Sequence, residues 1–136
     1  MPSSTILSDL TRVLLVDDNA AMLRRAAAVL TPGCEVVGAV KDGPAALAAA
    51  REFQPDVIVL DISMPGMNGL ELASRLREAG STAALVVLTV HDEEEFVVAA
   101  QAAGAIGYVV KPRLVSDLLA AVRDARAGCP FVSPMR

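Results

Sequence analysis

Short apolar runs alternate with amphipathic stretches along nearly the whole chain. Val13–Val16, Val36–Val40, Val57–Leu60, Leu85–Val90 and Ile106–Val110 are rich in β-branched residues and bounded by turn or polar residues. Runs of this length without polar alternation predict strands buried on both faces. Between and after them, Ala20–Leu30, Pro44–Phe53, Leu70–Ala79, Glu93–Ala103 and Val115–Ala127 carry helical patterning. End signals agree with these spans. Asn19 and Asn68 stand at N-cap positions, Gly43-Pro44 opens the second helix, and Thr31-Pro32-Gly33, Gly80 and Gly128 mark stops. Asp92 to Glu95 place negative charge at the positive end of the fourth helix. Five successive β–α units predict a parallel sheet with helices on both faces, and right-handed crossovers favour the doubly wound order 2-1-3-4-5. The expected fold is therefore α/β, with five parallel strands and five helices, over residues 12–127. Residues 1–11 read as an N-terminal extension, and 128–136 as a tail or the start of a linker.

Composition narrows the class. The 136 residues are enough for one domain, and 54% hydrophobic against 21% charged residues excludes disorder. Three Phe, one Tyr and no Trp leave a core of aliphatics and alanine. A net charge of −4 argues against nucleic-acid binding by this chain alone, which needs a basic face. Cys34 and Cys129 make neither a disulfide framework nor a zinc spacing. No apolar run is long enough to span a bilayer, and the N-terminus lacks the basic and apolar regions of a signal peptide. The expectation is a cytoplasmic protein with no membrane partner.

In a doubly wound fold the chemistry collects at the carboxyl ends of the strands. Asp17-Asp18 follow the first run, and Asp61 follows the third, with Ser63 two residues on. Thr89 lies at the end of the fourth, with Val90 and His91 behind it, and Lys111-Pro112 follows the fifth. Taken singly, each has an ordinary reading: a helix-capping Asp, a satisfied Thr hydroxyl, a solvated Lys, an exposed loop His, a core Tyr108. The joint pattern is what those readings leave unexplained. Three carboxylates so close would repel and raise one another's pKa, and a hard divalent cation with oxygen ligands relieves this, which points to Mg²⁺. Lys111 is one of only two lysines, and its ammonium could neutralise a carboxylate or bind phosphate oxygens.

The segments VLLVDD (13–18), VIVLDISMPGMNGLEL (57–72), LTV (88–90) and GAIGYVVKP (104–112) resemble a bacterial response-regulator receiver domain, the phospho-acceptor half of two-component signalling. The resemblance runs from about Arg12 to Ala127. It implies that Asp61 is the phospho-acceptor, a carboxylate nucleophile toward a phosphohistidine. It implies that Asp18, Asp61 and the backbone carbonyl of Ser63 hold Mg²⁺, with Asp17 acting through metal-bound water. Lys111 and Thr89 would contact phosphoryl oxygens, and the Lys111–Pro112 bond resembles the family's cis peptide. Thr89 and Tyr108 would form a switch, Tyr108 turning from outward to inward. The face of the fourth helix, fifth strand and fifth helix would then meet a second copy or another partner. The phosphoryl donor would be a sensor histidine kinase or a phosphotransfer protein, docking around Asn19, Ala20, Leu23 and Arg24 and on the loop after Pro112. Such a domain assists its own phosphorylation and dephosphorylation without being a conventional enzyme.

Val90 is bulkier than the residue usual in this family and is expected to crowd the pocket; Ser63, Val90 and His91 are candidates for tuning phosphoryl lifetime. Val36–Val40, Gly107-Tyr108 and the tail from Ala127 resemble NarL/LuxR-type regulators, which continue into a helix-turn-helix domain. The nine residues from Gly128 are too few for one, so the chain reads as a stand-alone or excised receiver. DNA would be bound only through such a further domain. Two other classes fit less well. A phosphorylation-independent module would have lost Asp61, Asp18 or Lys111. A flavin-binding protein or small enzyme would want a phosphate-cradling loop where Asp17-Asp18-Asn19 stand.

Overall fold

The apolar runs form a parallel sheet whose inner strands are buried on both faces under helices, while the edge run Val36–Val40 is only half-buried. In the computed structural model, which describes residues 10–134, the strands are β1 (Thr11–Val16), β2 (Cys34–Val40), β3 (Val57–Leu60), β4 (Ala84–Thr89), β5 (Ala105–Val110) and β6 (Phe131–Val132). The helices are α1 (Ala20–Leu30), α2 (Gly43–Phe53), α3 (Gly69–Glu78), α4 (Glu94–Ala102) and α5 (Leu114–Arg126). The expected N-terminal extension lies outside the described residues up to position 9. Strand order is β2-β1-β3-β4-β5-β6, and every pairing is parallel. Among the described residues no helix is long and apolar enough to cross a membrane.

Successive residues of one strand feed opposite layers. Leu14, Val16, Ile58, Leu60, Val87 and Tyr108 pack with Ala46, Ala49, Leu72, Leu76 and Val97 of α2, α3 and α4. Val13, Leu15, Val57, Val59, Leu88 and Val109 pack with Leu23 and Leu30 of α1 and with Leu118 and Val122 of α5. This two-sided burial is why the runs show no polar alternation. Asn19 and Asn68 cap α1 and α3, accepting from the N–H groups of Met22 and Glu71 at 3.1 and 2.9 Å. The cap of α2 is Asp42, accepting from Ala45 N–H at 2.8 Å, one residue ahead of the Gly43-Pro44 signal. Asp56 is structural, its Oδ2 accepting the Arg12 N–H at 2.8 Å.

Two expectations are corrected. The sheet has six strands, not five, because the tail folds back. Gly128, at φ +81°, reverses the chain after α5, and Phe131 and Val132 pair with Gly107 and Tyr108 on the open edge of β5. A free edge leaves strand N–H and C=O groups unpaired, and the tail fills part of it. A two-residue strand carries no periodicity to read. Second, every peptide bond among the described residues is trans, Lys111–Pro112 included. Pro112 sits in the first positions of a short 3₁₀ turn, Lys111–Arg113, where its fixed φ and missing N–H are tolerated. For X–Pro bonds trans is favoured by about 0.5–1 kcal/mol.

At the start of α3, Gly69 donates its N–H to the Ile62 carbonyl at 2.8 Å, and a Cβ there would collide with the Asp61 carbonyl. The obstacle is backbone, which cannot rotate aside. Gly69→Ala is therefore expected to lower stability by about 1–3 kcal/mol, seen as a lower Tm in calorimetry; an unchanged Tm would show that the loop after β3 yields freely.

Candidate functional site

The carboxyl ends of β1, β3, β4 and β5 bring Asp17, Asp18, Asp61, Thr89 and Lys111 to one edge of the sheet. Each strand stops where its apolar run stops, so the first polar residue after it lands in the same layer. One carboxylate oxygen from each of Asp17, Asp18 and Asp61 lies within 4.8 Å of the others. Asp17 and Asp61 are buried and Asp18 is exposed. Lys111 reaches back across the edge, its Nζ 2.9 Å from Asp17 Oδ2 and 2.9 Å from Asp61 Oδ2. Thr89 is fully buried, and its Oγ1 accepts the His91 N–H at 3.5 Å.

Electrostatics follow from this geometry. Burial pushes the Asp17 carboxyl up, opposed by the Asn19 N–H and the Lys111 ammonium and reinforced by repulsion from Asp61. Burial would lower the Lys111 pKa, but its contacts with Asp61 and Asp17 outweigh it and leave the group raised, so the ammonium stays charged. One ammonium among three carboxylates leaves two negative charges uncompensated. Asp17 Oδ2 is buried with no well-formed hydrogen bond, its partner being the Lys111 charge. An all-oxygen donor set with an excess of two negative charges fits a hard divalent cation such as Mg²⁺.

The rim joins three loops. Ser63 Oγ and His91 Nε2 are 2.6 Å apart, and the His91 ring stacks on Phe96 with centroids 4.3 Å apart. Tyr108 Oη donates to the His91 carbonyl at 2.8 Å. Tyr108, expected to move from outward to inward, is already inside at 1% exposure. A buried phenol needs a hydrogen-bond acceptor, and the His91 carbonyl supplies one. Val90, expected to crowd the pocket, is 63% exposed and projects to solvent. Ser63 and His91 are each candidates on sequence, but their direct contact is set only by the fold. The Phe96 stack and the buried Asp117 and Ser133 behind β5 likewise carry no motif along the chain. Arg113 and Asp117 at i and i+4 were the only available signal for the latter. A separate cleft of about 590 Å³ opens at the other end of the sheet, lined by residues including Arg51, Gln54 and Ser81, remote from the acidic edge.

Comparison with known proteins agrees with this architecture. Residues 13–123 match the response regulator receiver domain family. The chain is 42% identical over 119 residues to the nitrate/nitrite response regulator protein NarL of Escherichia coli (strain K12), covering 85% of this chain and 55% of that protein. It is 35% identical over 122 residues to the transcriptional regulatory protein YxjL of Bacillus subtilis (strain 168), covering 88% and 56%. The signal receiver domain of the response regulator NarL from Mycobacterium tuberculosis superposes with a TM-score of 0.82 at 31% identity, covering 88% of this chain and 98% of that one. The chain belongs to the receiver domain family of two-component response regulators, whose members are signalling domains rather than conventional enzymes. It spans little more than half the length of the curated relatives it matches.

Tyr108 offers a direct check of the buried rim. Burial, with the charges of Glu93, Asp61 and Asp92, raises its phenol from 10.0 to about 12. Because the folded value lies above the unfolded one, this contribution to stability is complete below pH ~10 and is lost as pH rises through about 12. With one Tyr and no Trp in the chain, ultraviolet titration of phenolate should show a midpoint near 12 when folded and about 10 in denaturant. Equal midpoints would mean that Tyr108 is exposed in solution.

Proposed function

We propose that this chain accepts a phosphoryl group on Asp61 from a phosphohistidine of a sensor histidine kinase or phosphotransfer protein. The observation that carries the reading is the Lys111 ammonium, 2.9 Å from Asp17 Oδ2 and from Asp61 Oδ2 at the end of the sheet. Of the two buried carboxylates, Asp61 is the one that directly follows the inner strand β3, and its Oδ1 accepts the Ser63 N–H at 3.2 Å. In the transfer a carboxylate oxygen of Asp61 forms a bond to phosphorus while the phosphorus–nitrogen bond of the donor breaks. The electron pair leaves with the imidazole. Phosphoryl transfer asks the protein mainly for in-line positioning and for charge to balance the equatorial oxygens. Lys111 supplies one such charge, and the Thr89 hydroxyl at the end of β4 supplies a donor. Asp18, Asp61 and the Ser63 carbonyl would hold Mg²⁺, with Asp17 acting through bound water; the ion would neutralise charge on the phosphoryl oxygens. Ser63 and His91, joined across the rim, control access to the phosphoryl group and so its lifetime.

The signal leaves through the face of α4, β5 and α5. A phosphoryl group adds charge and acceptor oxygens beside Thr89, and the Thr89–His91–Tyr108 hydrogen bonds carry the change to β5. Exposed Val98 on α4 and Val132 on β6 give this face the apolar surface for a second copy or a partner. The output of this reading is transcription regulation, as the name of the related YxjL suggests, with DNA contacted in the cytoplasm through a helix-turn-helix domain rather than through this acidic domain.

Incubation with acetyl phosphate and Mg²⁺ tests the reading by intact-mass spectrometry. One phosphoryl adduct is expected on the wild type, none on Asp61→Ala, and none on the wild type once EDTA removes the metal. An adduct on Asp61→Ala equal to the wild type would refute the assignment.

A further inference from the structure

We propose that Asp117 and Ser133 are positioning residues for phosphoryl transfer: they clamp the turn that carries Lys111 and so hold its ammonium between Asp17 and Asp61. The proposal rests on the reading of Asp61 as phospho-acceptor and assigns a role to groups behind β5 that touch neither phosphoryl nor metal.

Lys111 sits at the seam between β5 and the 3₁₀ turn, and the chain is gripped on both sides of it. On the strand side, Val110 donates its N–H to Ser133 Oγ at 3.3 Å. On the turn side, Arg113 donates through Nε and Nη2 to Asp117 Oδ2 and Oδ1 at 2.7 and 3.3 Å. The two grips meet, because Ser133 Oγ donates to Asp117 Oδ2 at 2.8 Å. Ser116 Oγ adds a fourth donor at 3.0 Å. Asp117 is 6% and Ser133 1% exposed, so the bonds made by Ser133 are internal, whereas the Arg113 side chain reaches Asp117 from the surface at 43% exposure. The hydrogen bond from Arg113 is the main reason the Asp117 carboxyl is held below its ordinary range; burial opposes it, and Ser133 and Ser116 assist.

The tail brings little else to this place. β6 is two residues long, Phe131 is only half-buried and Val132 is 42% exposed, so its apolar contribution is small. What it supplies is Ser133, whose N–H goes to the Tyr108 carbonyl at 2.8 Å and whose hydroxyl serves Val110 and Asp117. Without that hydroxyl the Val110 N–H, on a residue 7% exposed, would be left without its partner, and the backbone next to Lys111 would shift to find another. A lysine has a long flexible stem, so where its backbone is fixed decides whether Nζ can touch both carboxylates at once. Misplacement of a catalytic group by about 1 Å can cost up to ~100-fold in rate.

The test uses Ser133→Ala and Asp117→Asn, each alone and combined with Lys111→Ala, with the full chain. Asp117→Asn keeps the side chain's size and one acceptor oxygen, so it serves if Ser133→Ala folds poorly by circular dichroism. Initial phosphorylation by acetyl phosphate at saturating Mg²⁺ should fall about tenfold in each single variant. In the Lys111→Ala background the same changes should matter less than about twofold, since the group they act through is gone. Mg²⁺ affinity, read by calorimetry without any phosphodonor, should stay equal or tighten, because a loosened ammonium competes less for the carboxylates. Loss of Mg²⁺ affinity together with equal rate losses in both backgrounds would mean a merely structural clamp and would overturn the proposal. Wild-type rates in both single variants would overturn it too, leaving Asp61 as acceptor intact. No adduct on the wild type would remove both readings.

Discussion

The site depends on one charge, the Lys111 ammonium inserted between two buried carboxylates. Asp17 and Asp61 come from the ends of β1 and β3, which are neighbours in the sheet. Parallel packing therefore forces them together, and without a cation between them they would repel. Isolated buried charges are costly, and a lysine between two acids offsets part of that cost. The arrangement still leaves a net negative edge, which suits a divalent ion without removing Lys111. The fold creates the electrostatic strain, and β5 delivers the group that relieves it.

Around that centre the loops are tied to one another as well as to the sheet. Ser63 belongs to the loop after β3 and His91 to the loop after β4, yet they meet at 2.6 Å. His91 also stacks on Phe96 of α4 and offers its carbonyl to Tyr108 of β5. One histidine thus links the loop after Asp61, the helix α4 and the strand β5. Its ring and its backbone carbonyl face different neighbours, so a shift of the β4–α4 loop would be felt by both. Tyr108 is held inward by that bond.

Much of the fold was legible along the chain because its signals are local. VLLV and VIVL lack polar alternation since both faces of a central strand are covered, and Asn19 and Asn68 cap helices through bonds to residues three further on. The site residues were legible for a related reason: a parallel sheet aligns its carboxyl ends, so the first polar residue after each run must fall in one layer. Less accessible were features fixed by distant partners. The cap Asp42 was hidden behind Gly43-Pro44, the Ser63–His91 bond spans two loops, and the exposure of Val90 depends on how its bend leaves the sheet.

The sequence by itself determined the α/β class, the strand order, and the meeting of Asp17, Asp18, Asp61, Thr89 and Lys111, since periodicity and strand-end chemistry act over a few residues. Tertiary structure alone decided the sixth strand, the trans Lys111–Pro112 bond, the inward Tyr108 and the clamp of Asp117 with Ser133. The strand, the tyrosine and the clamp each turn on a backbone or side-chain group finding a partner far away in sequence. A two-residue strand has no period, and a serine in a tail is chemically unremarkable until the chain folds back and places its hydroxyl on Asp117.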